Sequence, residues 1–196
     1  MLITNKIEVP QPLEAVWAFF GDIPQVAACL PGANLTEEVG PDHYAGDVLI
    51  KAGPVKLEFA GSALIKDRDE ANKRITVDAS GADKKGRGNA SLALQAGLKP
   101  IAKGTQVDIA LDLALSGAAA QYGRGLVADV TAVLLQEFSA NMTNRLDAKA
   151  KGLDPDKVGA AKPASGVSIA LRAARMALAR VFRRFFLPYQ PQPTGR

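Results

Sequence analysis

Chemistry at a protein site begins with groups that titrate, attack or ligate, and this chain is sparing with them. It holds one histidine, His43, and one cysteine, Cys29. His43 stands beside Tyr44 at a turn or strand start, and no spacing sets up a serine–histidine–carboxylate or cysteine–histidine arrangement. A lone histidine in such a place is ordinarily a surface or structural residue. Cys29 ends a short helical stretch before Leu30-Pro31. A helix end can lower a thiol pKa, but a small buried residue is the simpler reading. One cysteine closes no disulfide within the chain and builds no cysteine metal site, and metal-ligand spacings are missing. The expectation is therefore no catalytic residue and no metal site.

Two glycine-rich stretches invite a nucleotide reading. Gly123-Arg124-Gly125-Leu126-Val127-Ala128 fits the dinucleotide fingerprint and opens into a helix. That fingerprint belongs in a βαβ unit, whereas here it follows the last strand of a meander and no parallel strand comes after it. Gly81-Ala82-Asp83-Lys84-Lys85-Gly86-Arg87-Gly88 reads better as a hairpin with bulges than as a phosphate cradle. With catalytic clusters missing, binding is favoured over catalysis.

The elements that would shape a binding site are clearer. Leu2 to Val9 alternates and stops at Pro10, a first strand. Leu13, Val16, Trp17 and Phe20 follow at helical spacing up to Gly21, and Asp22 can cap a second short helix reaching Cys29. From residue 33 the period becomes two. Candidate strands cover 33–39, 43–51, 54–66, 73–83, 87–98 and 104–115, joined by short polar turns that indicate an antiparallel meander. Glycines 46, 61, 81, 88 and 97 fall inside these strands, as a sheet that bends or bulges requires. Residues 119–150 return to helical spacing, with Leu126, Val130, Val133 and Leu134 in one stripe widened by Val127, Phe138, Met142 and Leu146. That apolar sector is wider than the stripe of about 100° that a helix lying flat on a sheet needs. A well-buried helix and a helix facing an enclosed apolar space remain alternatives.

Composition and charge divide the chain. At 47% hydrophobic and 22% charged residues over 196 positions, it can bury one substantial core. Residues 1–150 carry 15 Lys and Arg against 18 Asp and Glu, a net −3, whereas residues 151–196 carry 9 against 2, a net +7. The expected organisation is a domain over 1–150, a linker over 151–167, a helix over 168–187 and a Pro-rich tail over 188–196. The first residues do not read as a signal peptide, and no apolar run is long enough to span a bilayer.

On a helix, residues 168–187 separate into two faces. Leu171, Ala174, Leu178, Val181, Phe182 and Phe185 share one; Arg172, Arg180, Arg183 and Arg184 lie opposite, with Arg175 near the border. A cationic face against an aromatic–aliphatic one marks an interfacial helix. Each basic residue near an anionic leaflet contributes about 1 kcal/mol. A peripheral place on the cytoplasmic face of the cell membrane is expected, with docking on the chain's own domain or a partner as the alternative. A nucleic-acid arm has little use for Phe182, Phe185 and Phe186, so no nucleic-acid partner is expected.

Several segments together carry a family resemblance. They are Leu30-Pro31-Gly32-Ala33, Gly53-Pro54-Val55 with Phe59 and Gly61, and Gly81-Ala82-Asp83 with Gly86 and Gly88. Gly104-Thr105 and Ser116-Gly117 follow, then Gln121-Tyr122-Gly123-Arg124-Gly125. Over about residues 1–147 the chain resembles the G-subunit family of carbon monoxide dehydrogenase, and the linker and tail match in character only. The element order likewise resembles the α+β helix-grip fold, START-like and birch-pollen-allergen-like. There a curved seven-stranded antiparallel sheet wraps around a long C-terminal helix, with two short helices after strand 1. The resemblance implies an accessory protein, not an enzyme, for a molybdenum-containing aerobic carbon monoxide dehydrogenase or a related molybdenum hydroxylase. It also implies membrane recruitment and a carried isoprenoid quinone, menaquinone or ubiquinone, with no covalent cofactor. Phe20, Leu57, Phe59, Val130, Val133 and Leu134 are the expected ligand-binding residues, and Tyr122 could offer its hydroxyl to a quinone carbonyl. A tether with a collapsed cavity is the alternative; a cyclase- or hydrolase-type enzyme comes third.

Overall fold

The structure, a computed structural model, describes residues 1–52 and 55–155. The expected linker beyond residue 155, the helix over 168–187 and the tail over 188–196 lie outside the described residues. β1 (Leu2–Val9) leads into α1 (Leu13–Gly21) and α2 (Ile23–Cys29). Pro12 precedes α1, where its missing N–H leaves no bond unmade. The Asp22 carboxylate accepts from the Gln25 amide at 3.2 Å and starts α2. Six strands follow: β2 (Ala33–Gly40), β3 (His43–Ala52), β4 (Val55–Asp69), β5 (Arg74–Asp83), β6 (Asn89–Ile101) and β7 (Gly104–Leu115). The chain closes with a 3-10 segment, Gly117–Tyr122, and α3, Gly123–Ala150. The helical stretch expected from residue 119 thus begins with tighter winding, and Gly123 at φ 74° separates the two.

The seven strands form one antiparallel sheet in the order β1-β7-β6-β5-β4-β3-β2, so the first strand lies beside the last. Register puts every second residue on one face. Across β3 to β6, Val48 stands opposite Phe59, Phe59 opposite Asp83, and Ala63 opposite Ala79, which faces Leu92. Across β6 to β1, Ala96, Ile109 and Asn5 align, as do Leu98, Val107 and Ile7. This inner face is almost wholly apolar.

The sheet's bend has a local origin. Gly46, Gly61 and Gly81 pair in one row across β3, β4 and β5. A Cβ on Gly61 would stand 2.0 Å from the Ser80 carbonyl oxygen, and one on Gly46 2.7 Å from that of Asn34. Only glycine lets the backbones approach this closely. Of the other two glycines expected in strands, Gly97 lies within β6, but Gly88 belongs to the β5–β6 turn.

The inner face is packed at one end. Ile7, Val9, Val16, Phe19, Cys29, Leu98, Val107, Phe138, Met142 and Leu146 form a single cluster there. α3 supplies the last three from its second half and packs on β1 and α2. Arg145, 5% exposed, donates from Nε to Gln25 Oε1 at 2.8 Å, and the Asn141 amide donates to the Cys29 carbonyl at 3.0 Å. The β4–β5 turn is clasped to α1: Trp17 Nε1 donates to Glu70, and Lys73 bonds Glu14 at 3.0 Å, 5.2 Å from the Trp17 ring centre.

Candidate functional site

The other end of the inner face is built differently. The end of β3, the start of β4, the β5–β6 turn, the 3-10 segment and the start of α3 all lie at this end. Leu57, Phe59 and Ala119 are buried here, flanked by half-buried Ile50, Ala90, Leu115 and Tyr122. The middle of the inner face continues the same character: Tyr44, Val48, Ala63, Val77, Ala79, Leu92 and Leu113 share its register and are only half-buried. Gly46, Gly61 and Gly81 leave one row of this floor without side chains. Apolar side chains that stay half-open on the concave side of a bent sheet are what an apolar ligand needs.

One crossing of two chain segments holds this end. Gly88 and Gly117 take positive φ, 148° and 65°, and their backbones abut: a Cβ on either would lie 2.1 Å from a carbonyl oxygen of the other's segment. The Ala118 amide donates to the Arg87 carbonyl at 2.7 Å, and the Asn89 amide to Ser116 Oγ at 2.9 Å. Beside them lies a polar group that sequence reasoning missed. Asp83, 4% exposed, faces inward opposite Phe59. It accepts from Arg87 Nε at 2.8 Å, from an Arg87 terminal nitrogen at 2.7 Å, and from the amides of Glu58, Lys85 and Arg87. The Arg87 bonds above all hold the Asp83 carboxyl far below the usual carboxylate range, against the opposing effect of burial. The signal was present as an Asp and an Arg four positions apart across a glycine turn, but nothing in the sequence says that the Asp faces inward.

The expected ligand residues divide. The structure brings Leu57, Phe59 and Tyr122 into one cluster. On the first half of α3, Val133 is fully buried, whereas Val130 and Leu134 are half-buried. Phe20 sits at the packed end, with its ring centre 6.3 Å from that of Phe138. Leu171, Arg172, Arg175, Leu178, Arg180, Phe182, Arg183, Arg184 and Phe185 lie outside the described residues. Cys29 is fully buried and its thiol is pushed up to about 11 by burial, with Arg145 pulling the other way. His43 pairs with Leu64 in the outward register. Gly123-Arg124-Gly125 opens α3 with no strand directly before it. No group of three metal-ligating side chains is present among the described residues. Two surface depressions of about 790 and 500 Å³ are lined mostly by outward-facing residues of the sheet, such as Lys6, Gln95 and Asp108 in the first and Ser62, Ser80 and Ser91 in the second.

A bent antiparallel sheet, a long helix packed across one end and a half-covered apolar floor at the other define a helix-grip domain. Solved structures share the fold. A conserved protein of Geobacillus kaustophilus superposes with a TM-score of 0.69 at 21% identity, over 76% of this chain and 97% of that one. A protein of Thermus thermophilus gives 0.56 at 16%, over 76% and 99%, and a Mycobacterium smegmatis protein gives 0.53 at 18%, over 76% and 92%. No curated protein matches the chain. Residues 6–147 match the family of the carbon monoxide dehydrogenase G subunit (CoxG), and the chain belongs to that family. No helix among the described residues is long and apolar enough to cross a membrane.

Proposed function

We propose that this protein carries an isoprenoid respiratory quinone, menaquinone or ubiquinone, in the open end of its concave face. In this reading it serves, without catalysing a reaction itself, a molybdenum-containing aerobic carbon monoxide dehydrogenase or a related molybdenum hydroxylase. The observation that carries the proposal is the inner face itself. Leu57 and Phe59 adjoin a run of half-buried aliphatic side chains above a floor of Gly46, Gly61 and Gly81. Such a surface suits an apolar chain with a flat ring. Family membership supports the enzyme partner. The sequence of residues 168–187 supports contact with anionic lipid on the cytoplasmic face, where quinones are loaded. Mass spectrometry of organic extracts from the protein purified from its native host tests this. A stoichiometric isoprenoid quinone is expected, and deletion of residues 166–196 is expected to lower its occupancy. Empty extracts, together with no binding of added quinone, would overturn the carrier and leave a tether.

A further inference from the structure

We propose that Arg87 and Tyr122 form a polar clamp at the open end, which reads an acceptor oxygen on the head of an otherwise apolar ligand. The inference rests on the carrier reading and assigns the residues that choose the ligand's head group.

Arg87 is tied to both chain segments that supply the apolar cluster. One terminal nitrogen donates to the Lys56 carbonyl at 2.8 Å, directly before Leu57, and its own carbonyl accepts from Ala118, directly before Ala119. The guanidinium is therefore fixed at the rim of the cluster that Tyr122 also lines. Its donors can be followed one by one. Nε–H and one terminal nitrogen serve Asp83, and that same terminal nitrogen serves Lys56. The second terminal nitrogen, with two N–H groups, has no bond among the described residues. The side chain keeps 34% of its surface open. Asp83 holds the fork in place, and the guanidinium is protonated at any working pH. Tyr122 packs against the same cluster, four residues after Ala118, whose amide is bonded to the Arg87 carbonyl. A tyrosine hydroxyl and a spare guanidinium edge on segments that supply one apolar cluster favour a carbonyl or carboxylate oxygen. A pure hydrocarbon would gain nothing from those donors.

Displacement of the neutral dye N-phenyl-1-naphthylamine from the full-length protein tests the clamp with three competitors: decylubiquinone, palmitate and a sesquiterpene hydrocarbon. Each is run on wild type, Arg87→Gln and Tyr122→Phe, with melting curves of all three proteins. Charge-assisted bonds of this kind are worth about one to two factors of ten in affinity. Arg87→Gln is expected to weaken decylubiquinone by about tenfold or more, and Tyr122→Phe by about threefold. The hydrocarbon should bind all three proteins equally. Palmitate separates the sources: a parallel loss shows a clamp for any acceptor oxygen, whereas an unchanged palmitate affinity restricts it to the quinone carbonyl. Unchanged decylubiquinone binding in both variants would overturn the clamp while leaving the carrier standing. Equal losses for hydrocarbon and quinone would also overturn it, by showing that Arg87 only shapes the rim. Tyr122→Phe removes one oxygen and keeps the packing, so the test holds even where Arg87→Gln melts early. If wild type binds none of the three, the carrier reading itself falls.

Discussion

The two ends of the inner face use the same residue types to opposite effect. At the packed end Val9, Val16, Cys29, Val107 and Met142 are at most 1% exposed, because α1 packs on β6 and β7, α3 packs on β1, and α2 packs on both helices. At the open end only Leu57, Phe59 and Ala119 of the cluster are buried, and the neighbours that share their register stay half-open. Polar bonding follows the same division. The packed end is clasped from outside, by Trp17 with Glu70 and by Lys73 with Glu14, whereas the open end carries on its inner face an ion pair whose carboxylate is buried. One end stabilises the domain, and the other keeps its apolar side chains part open.

The comparison breaks if equal cuts cost the same at both ends. Met142→Ala removes a fully buried side chain where nothing can collapse onto the gap, and about 2–5 kcal/mol should be lost in chemical denaturation. Leu57→Ala should cost about half of that, because its surroundings are already part open. Equal losses would mean that the open end is a second core. Asp83→Asn should lower the melting temperature on the order of 10 °C at pH 7, since it leaves Arg87 without its anionic partner. The sign of the pH dependence follows from the depressed Asp83 pKa. Its contribution is present in full above the unfolded value, near 3.8, and is lost as pH falls below it towards the folded one. Melting curves of variant and wild type should therefore converge on acidification below about pH 4.

A smaller effect sharpens the floor. Ala79→Leu, in the half-open middle, should change stability by less than about 1 kcal/mol while it weakens decylubiquinone binding. A large loss of stability with binding intact would remove Ala79 from the site. The least effect belongs to Cys29. With its thiol raised to about 11, native protein at pH 8 should resist iodoacetamide and react only when unfolded, as followed by intact-mass measurement. Rapid native labelling would mean that the packed end opens readily.

Much of this was legible in the sequence because period is a local property. The alternation from residue 33 to 115 matches six strands, and Pro10, Pro12 and Asp22 mark the first strand and both short helices. Leu57 and Phe59, two apart on one strand, were bound to share a face. Phe20 was not distinguishable from them, since which end of the sheet α1 covers is decided by packing rather than by α1's own pattern. Arg87 was missed for a similar reason. Its value lies in a register that turns Asp83 inward and in a crossing that brings residue 118 against it, and both are long-range facts. The tight winding before Gly123 was hidden because the helical spacing read from residue 119 runs through it.

The strand order has a consequence for how the chain is made. Leu2 pairs with Asp112 and Val9 with Thr105, so β1 has no partner in the sheet until β7 has been synthesised. At about 5–20 residues per second, the first strand waits on the order of 5–20 s beside a ribosome that is still extending the meander. Throughout that time Ile7 and Val9 are uncovered, and the edge of β1 is free to pair elsewhere. The step that completes the fold joins the ends of a segment about 100 residues long, which makes closure slow relative to the hairpins between. The residues of β1 thus carry a burden that the finished structure conceals: they must stay out of wrong pairings through most of the protein's synthesis.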